Sequence, residues 1–411
     1  MLDLQPALGA PPPSKGRFGL ALAGGGPLGA FFEVGALHAI DECFDGFELT
    51  DLDMYVGVSA GAMISAGLAN RIDTADMGAV FIHNASPEFP MHPSMFVRPA
   101  IREYFGRLSM VPGLGREILL QWLRDPGTEW TEFLEPLGRL VPAGLCDNRP
   151  LEAFLAKLFT SEGRTNDFRE LGSRLYVIAT ELDSGYAVRF GEQGYDHVPI
   201  SVAVQASSAL PGLYPAVEID GHNYVDGGLM RTMNASILLD AGVDFIVCVN
   251  PLVAFDASSA PVDENRVDRS FDLWRGGLPV VMGQTFRALI QSRMLVGHRT
   301  YKQEYPDTDV LLFEPDRSDV EMFFQNVFRY SDRERLVEHA YQRTRRDLRA
   351  HADALEKMLE RHGIRLRRDR LEDESRTFVR AVRERQRRFK PVTGDLHRTL
   401  DRLESALNSL N

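Results

Sequence analysis

The chain has 411 residues, 44% of them hydrophobic and 25% charged, with a formal net charge of −12. That balance suits a protein with a large buried core, long enough for one big domain with an appendage or for two, and it excludes a mainly disordered chain. Cys43, Cys146 and Cys248 are scattered without CxxC spacing, which argues against a disulfide framework or a zinc cluster and fits a reducing compartment.

Residues 1–16 read as a flexible tail, without the basic start and apolar run of a signal peptide. No apolar run approaches the roughly 18 residues of a membrane-spanning helix. The expected location is therefore cytoplasmic, with at most a peripheral contact at a membrane surface.

The chemistry-bearing part opens with RFGLALAGGGPLGAFFEVGALHAI, which reads as strand, glycine loop and helix. LDMYVGVSAGAMISAGLAN repeats the format, and two such units predict a largely parallel α/β layer sandwich. Residues 84–145 are rich in Pro, Met and bulky apolar residues in a broken helical pattern. They read as a helical insertion that is either a lid facing lipid or a segment with its apolar face against the body.

DNRPLEAFLAKLF predicts a helix capped by Asp147 or Asn148 with Pro150 in its first turn. SRLYVIATELDSGYAVRFG predicts a hairpin. A small-residue helix stopped by Pro211, a turn at Asp220-Gly221 and a strand ending at Asp226 follow, and VDFIVCVNPL predicts a fully buried strand. The expected division is a tail over 1–16, a catalytic domain over 17–330 and a charged helical extension over 331–411.

That extension is basic: residues 329–390 hold 20 Lys and Arg against 12 Asp and Glu. Such charge could meet an anionic membrane or nucleic acid, but helices pairing with acidic neighbours are the simpler reading, and no nucleic-acid partner is expected. Apolar stripes run from Val337 to Leu359 and from Leu396 to Leu410. They pack on the protein's own body or, alternatively, on a partner helix that would make an oligomer.

Three short motifs could carry chemistry. In GVSAG, Gly57 and Gly61 flank Ser59 between a strand and a helix, where only residues without side chains let neighbouring chains approach a strained turn. In GGGPLG, Gly24 to Gly29, backbone N–H groups at a helix start could hold an oxyanion, with the donors from Gly25, Gly26 or Leu28 because Pro27 has none. The same letters fit a dinucleotide fingerprint, but that needs an acidic residue ending the second strand, where this chain has GVSAG. In YVDGGL, Asp226 precedes Gly227 and Gly228 on a turn open enough to reach another loop and act as a general base. The histidines after Asp226 lie in helical patterns, so a two-residue Ser-Asp mechanism fits better than a triad.

GGGPLG, then GVSAG, then DGG within ASSALPGLYPAVEIDGHNYVDGGL, resembles the bacterial patatin-like phospholipases over roughly residues 17–255. The resemblance implies a three-layer α/β/α sandwich with a mainly parallel central sheet and a serine lipid acyl hydrolase acting on lipid or fatty acyl esters. Ser59 would be the nucleophile, Asp226 its partner, and Gly24, Gly25, Gly26, Leu28 and Gly29 the oxyanion loop, with no metal or organic cofactor. Leu28 departs from the family, which often carries Arg or Lys there, and this leaves phospholipid against neutral ester open. A lipid-surface or partner-binding module on a hydrolase-like scaffold, and acyl transfer by the same residues, are the alternatives.

Overall fold

The computed structural model describes residues 1–9, 16–81, 91, 93–124, 137–230, 233–259, 273–324 and 330–384. Leu396 to Leu410 and parts of the 84–145 insertion lie outside the described residues. In chain order the elements are β1 (Leu2–Gln5), β2 (Phe18–Leu22), α1 (Gly26–Cys43), β3 (Phe44–Asp45), β4 (Met54–Val58), α2 (Ala60–Ala69), α3 (Thr74–Phe81), α4 (Ile101–Arg124) and α5 (Arg149–Phe159). Then come β5 (Arg174–Glu181), β6 (Ala187–Phe190), α6 (Ile200–Ser207), β7 (Val217–Ile219), β8 (His222–Asp226), α7 (Ser236–Asp240), β9 (Phe245–Val249), α8 (Gly277–Glu304) and β10 (Asp309–Phe313). The described chain ends with α9 (Val320–Phe324), α10 (Tyr330–Ala350), α11 (Ala352–Glu360), β11 (Arg365–Leu366) and α12 (Arg368–Glu372).

The main sheet runs β1-β10-β9-β2-β4-β5-β8-β7, with β6 also paired to β5. From β10 to β5 every pairing is parallel; β1 at one edge and β6, β8 and β7 towards the other pair antiparallel. The parallel strands β2, β4, β9 and β10 are buried along their whole length. Their continuous apolar runs are what a sheet covered on both faces requires.

Side chains divide between the faces with the period of two of a pleated strand. Leu20, Leu22, Tyr55, Val247 and Leu311 enter a core beneath α1, α2, α5 and α6. Ala21, Val56, Ile246, Cys248 and Leu312 enter a second core with Ile237 and Leu238 of α7 and Met294 and Tyr301 of α8. The result is the expected mixed α/β sandwich with a mainly parallel central sheet.

Several local expectations change. The tail is not loose at its start: β1 pairs antiparallel with β10, Leu2 opposite Phe313, and buries Leu2 and Gln5. Of the two caps expected for α5, Asp147 accepts the first-turn Arg149 amide at 3.0 Å, while Asn148 stands at the N-cap but makes no side-chain cap bond. Its side-chain amide instead exchanges hydrogen bonds of 3.0 Å with Gln205, through the Gln205 carbonyl and side chain. In the insertion, α4 turns Phe105, Leu108, Leu119 and Leu123 outward and buries Leu114.

The stripe from Val337 to Leu359 does pack inward, with Val337, Tyr341, Leu348, Leu355 and Leu359 fully buried. The helix breaks at His351, so the stripe spans α10 and α11. α10 lies so close on α1 that a Cβ on Gly35 would sit 2.5 Å from the Val337 carbonyl oxygen. Two arginines of the basic segment turn inward, Arg376 to pair with Glu42 and Arg345 to donate to the Asp373 carbonyl at 2.8 Å, while Arg365 and Arg367 pair with Asp45 at the surface. Among the described residues, no helix is long and apolar enough to cross a membrane.

Candidate active site

Sheet register brings the three motifs to one level. Leu22 of β2 lies opposite Gly57 of β4, and Val58 lies opposite Ile178 of β5. Ala179, one residue further, pairs with Asp226 at the end of β8. The residues just past β2 and β4 and at the end of β8 therefore emerge together. They are the glycine loop, Ser59 and Asp226, although they are far apart in sequence.

Ser59 sits between β4 and α2 with φ 53° and ψ −119°. A positive φ is strained for a side chain with a Cβ, and such strain persists only where the surroundings enforce it. The flanking glycines show how. A Cβ on Gly57 would lie 2.5 Å from the Ala62 Cα, and one on Gly61 would lie 2.5 Å from the Ala23 carbonyl oxygen. Only with glycine at both positions can α2 start so close to β4 and β2. The Ser59 amide is held by the Ser207 hydroxyl at 2.8 Å, and that hydroxyl donates to the Ile178 carbonyl at 2.6 Å.

Asp226 is 6% exposed and Ser59 7%. The Asp226 carboxylate accepts the Gly228 amide at 2.8 Å, and its own amide donates to the Ala209 carbonyl at 3.0 Å. Burial penalises the charged form and pushes the carboxyl up to about 6, while the Gly228 amide and the Ser59 hydroxyl beside it pull the other way. A Cβ on Gly227 would come within 2.2 Å of the Ile178 carbonyl oxygen, so the turn after Asp226 needs its first glycine.

The glycine loop passes over the serine: a Cβ on Gly24 would lie 3.1 Å from the Ser59 Cβ. Gly25 caps α1 and Pro27 occupies its first turn. The Gly29 amide donates to the Gly25 carbonyl at 3.0 Å, closing the first helical turn, so Gly29 is not available as an oxyanion donor. The amides of Gly26 and Leu28 precede that first helical bond and have no intrahelical partner. The helices α1 and α2 thus both begin at the site, and their N-terminal dipoles favour negative charge there.

Gly24, Gly25, Ser59 and Asp226 line a cavity of about 300 Å³ whose remaining wall is mostly apolar, with Met63, Phe96, Leu151 and Leu213 among its residues. Tyr214, also in the wall, donates its hydroxyl to the Phe96 carbonyl at 2.7 Å and ties the base of the insertion to the site. The Leu28 side chain is not part of that wall and packs on the core beside it. Among the described residues no histidine lines the cavity; His339 pairs with Asp319 and His362 with Asp309. Two residues escape sequence reading: Ser207, which anchors the turn, and Arg287 of α8, which lines the cavity. Neither carries a motif, and both reach the site only through tertiary folding.

The fold and site define an α/β protein in which a strand-to-helix turn holds a serine beside a buried carboxyl under a glycine loop. Residues 20–239, just over half of the chain, match the family described as Patatin-like phospholipase, and the chain belongs to that family. Similar solved structures include VipD from Legionella pneumophila, at 19% identity and TM-score 0.32, covering 62% of this chain and 54% of that one. Human GIVD cytosolic phospholipase A2, in complex with methyl gamma-linolenyl fluorophosphonate, is 12% identical with TM-score 0.35, covering 85% and 60%. The type III effector ExoU of Pseudomonas aeruginosa is 16% identical with TM-score 0.29, covering 84% and 62%. The chain therefore spans between 54% and 62% of the lengths of these proteins.

Proposed function

We propose that the protein is a lipid acyl hydrolase that cleaves fatty acyl esters with Ser59 as nucleophile and Asp226 as its base. Membership of the patatin-like phospholipase family supports lipid hydrolysis in general. The observation that carries the finer reading is the placement of the Ser59 hydroxyl beside the Asp226 carboxyl in a mostly apolar cavity. Asp226, poised near neutrality, takes the serine proton as the oxygen attacks the ester carbonyl. The amides of the glycine loop hold the oxyanion, and the departing alcohol takes the proton back from Asp226. Water, deprotonated by the same carboxylate, then releases the fatty acid and restores the serine. The outward apolar residues of α4 form the face that meets a lipid surface.

The test is the mass of the intact protein after treatment with a fluorophosphonate, with the adduct located by peptide mapping. One adduct on Ser59, lost in Ser59→Ala and greatly slowed in Asp226→Asn, together with fatty acid release abolished in both, is the expected result. Retained turnover in either folded variant would sink the mechanism.

A further inference from the structure

The cavity holds a charge that the proposed hydrolysis does not use. Arg287 lies on α8, and its guanidinium stands 5.0 Å from the centre of the Phe323 ring of α9. It lines the same cavity as Ser59 and Asp226. Burial alone lowers its basicity, with no acidic neighbour among the described residues acting against it. Nor is it the counter-ion of Asp226, whose carboxyl is set by burial, the Gly228 amide and the Ser59 hydroxyl. A partly desolvated guanidinium stacked on a ring and facing an apolar cavity is a fixed fork of donors awaiting an anion. The glycine loop offers no cation of its own, because position 28 is leucine, which packs on the core and does not line the cavity.

We propose that Arg287 is a specificity-determining residue that binds the phosphodiester of a phosphate-bearing acyl ester while the acyl carbonyl lies at Ser59. In a glycerophospholipid only a few bonds separate phosphorus from the ester oxygen, so both groups fit one cavity. The placement of the ester rests on the hydrolase reading. The binding of the phosphate does not.

The test uses an ether-linked, non-hydrolysable alkyl phosphocholine below its micelle concentration, titrated calorimetrically into wild type, Ser59→Ala, Arg287→Met and Arg287→Lys. An alkylglycerol of the same chain length is the neutral comparison. Wild type and Ser59→Ala bind the phosphocholine roughly ten- to hundredfold more tightly than Arg287→Met, the loss of a charge-assisted contact, and Arg287→Lys regains part of it. Among cleavable substrates, the ratio of kcat/KM for a lysophospholipid to that for the matching monoacylglycerol falls by a similar factor in Arg287→Met. Displacement by inorganic phosphate would mark free phosphate as a second occupant, and its failure would confine the site to lipid-borne phosphate; the proposal stands either way.

Equal affinity of wild type and a folded Arg287→Met for the phosphocholine overturns it. If the methionine variant does not fold, Arg287→Gln carries the same comparison. Phosphocholine binding through Arg287 without release of any fatty acid would remove the hydrolase reading and leave this one. Ester turnover with equal phosphocholine binding would do the reverse.

Discussion

Replacing Asp226 by Asn should make the stability of the protein less sensitive to pH. Burial holds the carboxyl at about 6 in the fold, against 3.8 when it is open to water. Above about 6 the folded protein must keep a desolvated carboxylate that the unfolded chain leaves hydrated, and only well below about 4 are both states protonated. The raised value therefore favours the fold fully in acid and loses that advantage as pH rises through about 6. The gap corresponds to about 3 kcal/mol. Urea unfolding of wild type and Asp226→Asn at about pH 4 and about pH 8 measures it, since groups common to both proteins cancel and any pH-independent effect of the amide drops out. Relative to the variant, wild type should lose about 2 kcal/mol between the two conditions, the rest of the gap having already gone by about pH 4, where the unfolded carboxyl is about half ionised. With Asp226 as the proposed base, wild-type kcat/KM should rise with pH through about 6 as its carboxyl loses its proton. A stability difference that is the same at both pH values would refute the reasoning.

Two further outcomes follow from packing. Gly57→Ala places a Cβ 2.5 Å from the Ala62 Cα, a backbone clash that no rotamer relieves. It should cost more than about 3 kcal/mol in thermal or urea unfolding. Gly106→Ala, with nothing within 4 Å, should leave stability equal or slightly higher. On α4, Phe105→Ser with Leu108→Ser should weaken co-sedimentation with phospholipid vesicles by more than tenfold, since each buried apolar side chain contributes roughly 1.5–3 kcal/mol. Unchanged vesicle binding would show that this face does not meet the lipid.

Legibility in the sequence followed locality. β2, β4 and β9 were readable because a strand buried on both faces is a continuous apolar run, and the Ser59 turn because its glycines lie two residues either side. What depends on distant pairing was hidden. Leu2 finds Phe313 across the chain, Asn148 abandons its cap for Gln205, and Ser207 reaches the Ser59 amide from α6. Gly29 looked like part of an oxyanion loop by its letters, but helix α1 begins early enough to occupy its amide. Arg287 sat unremarked in a long helix because nothing in its neighbours marks which side faces the cavity.

The position of β9 has a consequence for anyone expressing this protein in pieces. Residues 20–239 carry the family match, yet β2, which leads into the glycine loop, has β9 (Phe245–Val249) as one of its two neighbours, and β10 closes over β9 in turn. α1, which starts at that loop, is roofed by α10 from beyond residue 329. A fragment cut at the limits of recognisable homology would open the sheet through its middle and bare one side of α1. The matched stretch stops short of strands and a helix that pack directly on it, so cloning boundaries should follow the strands rather than the motifs.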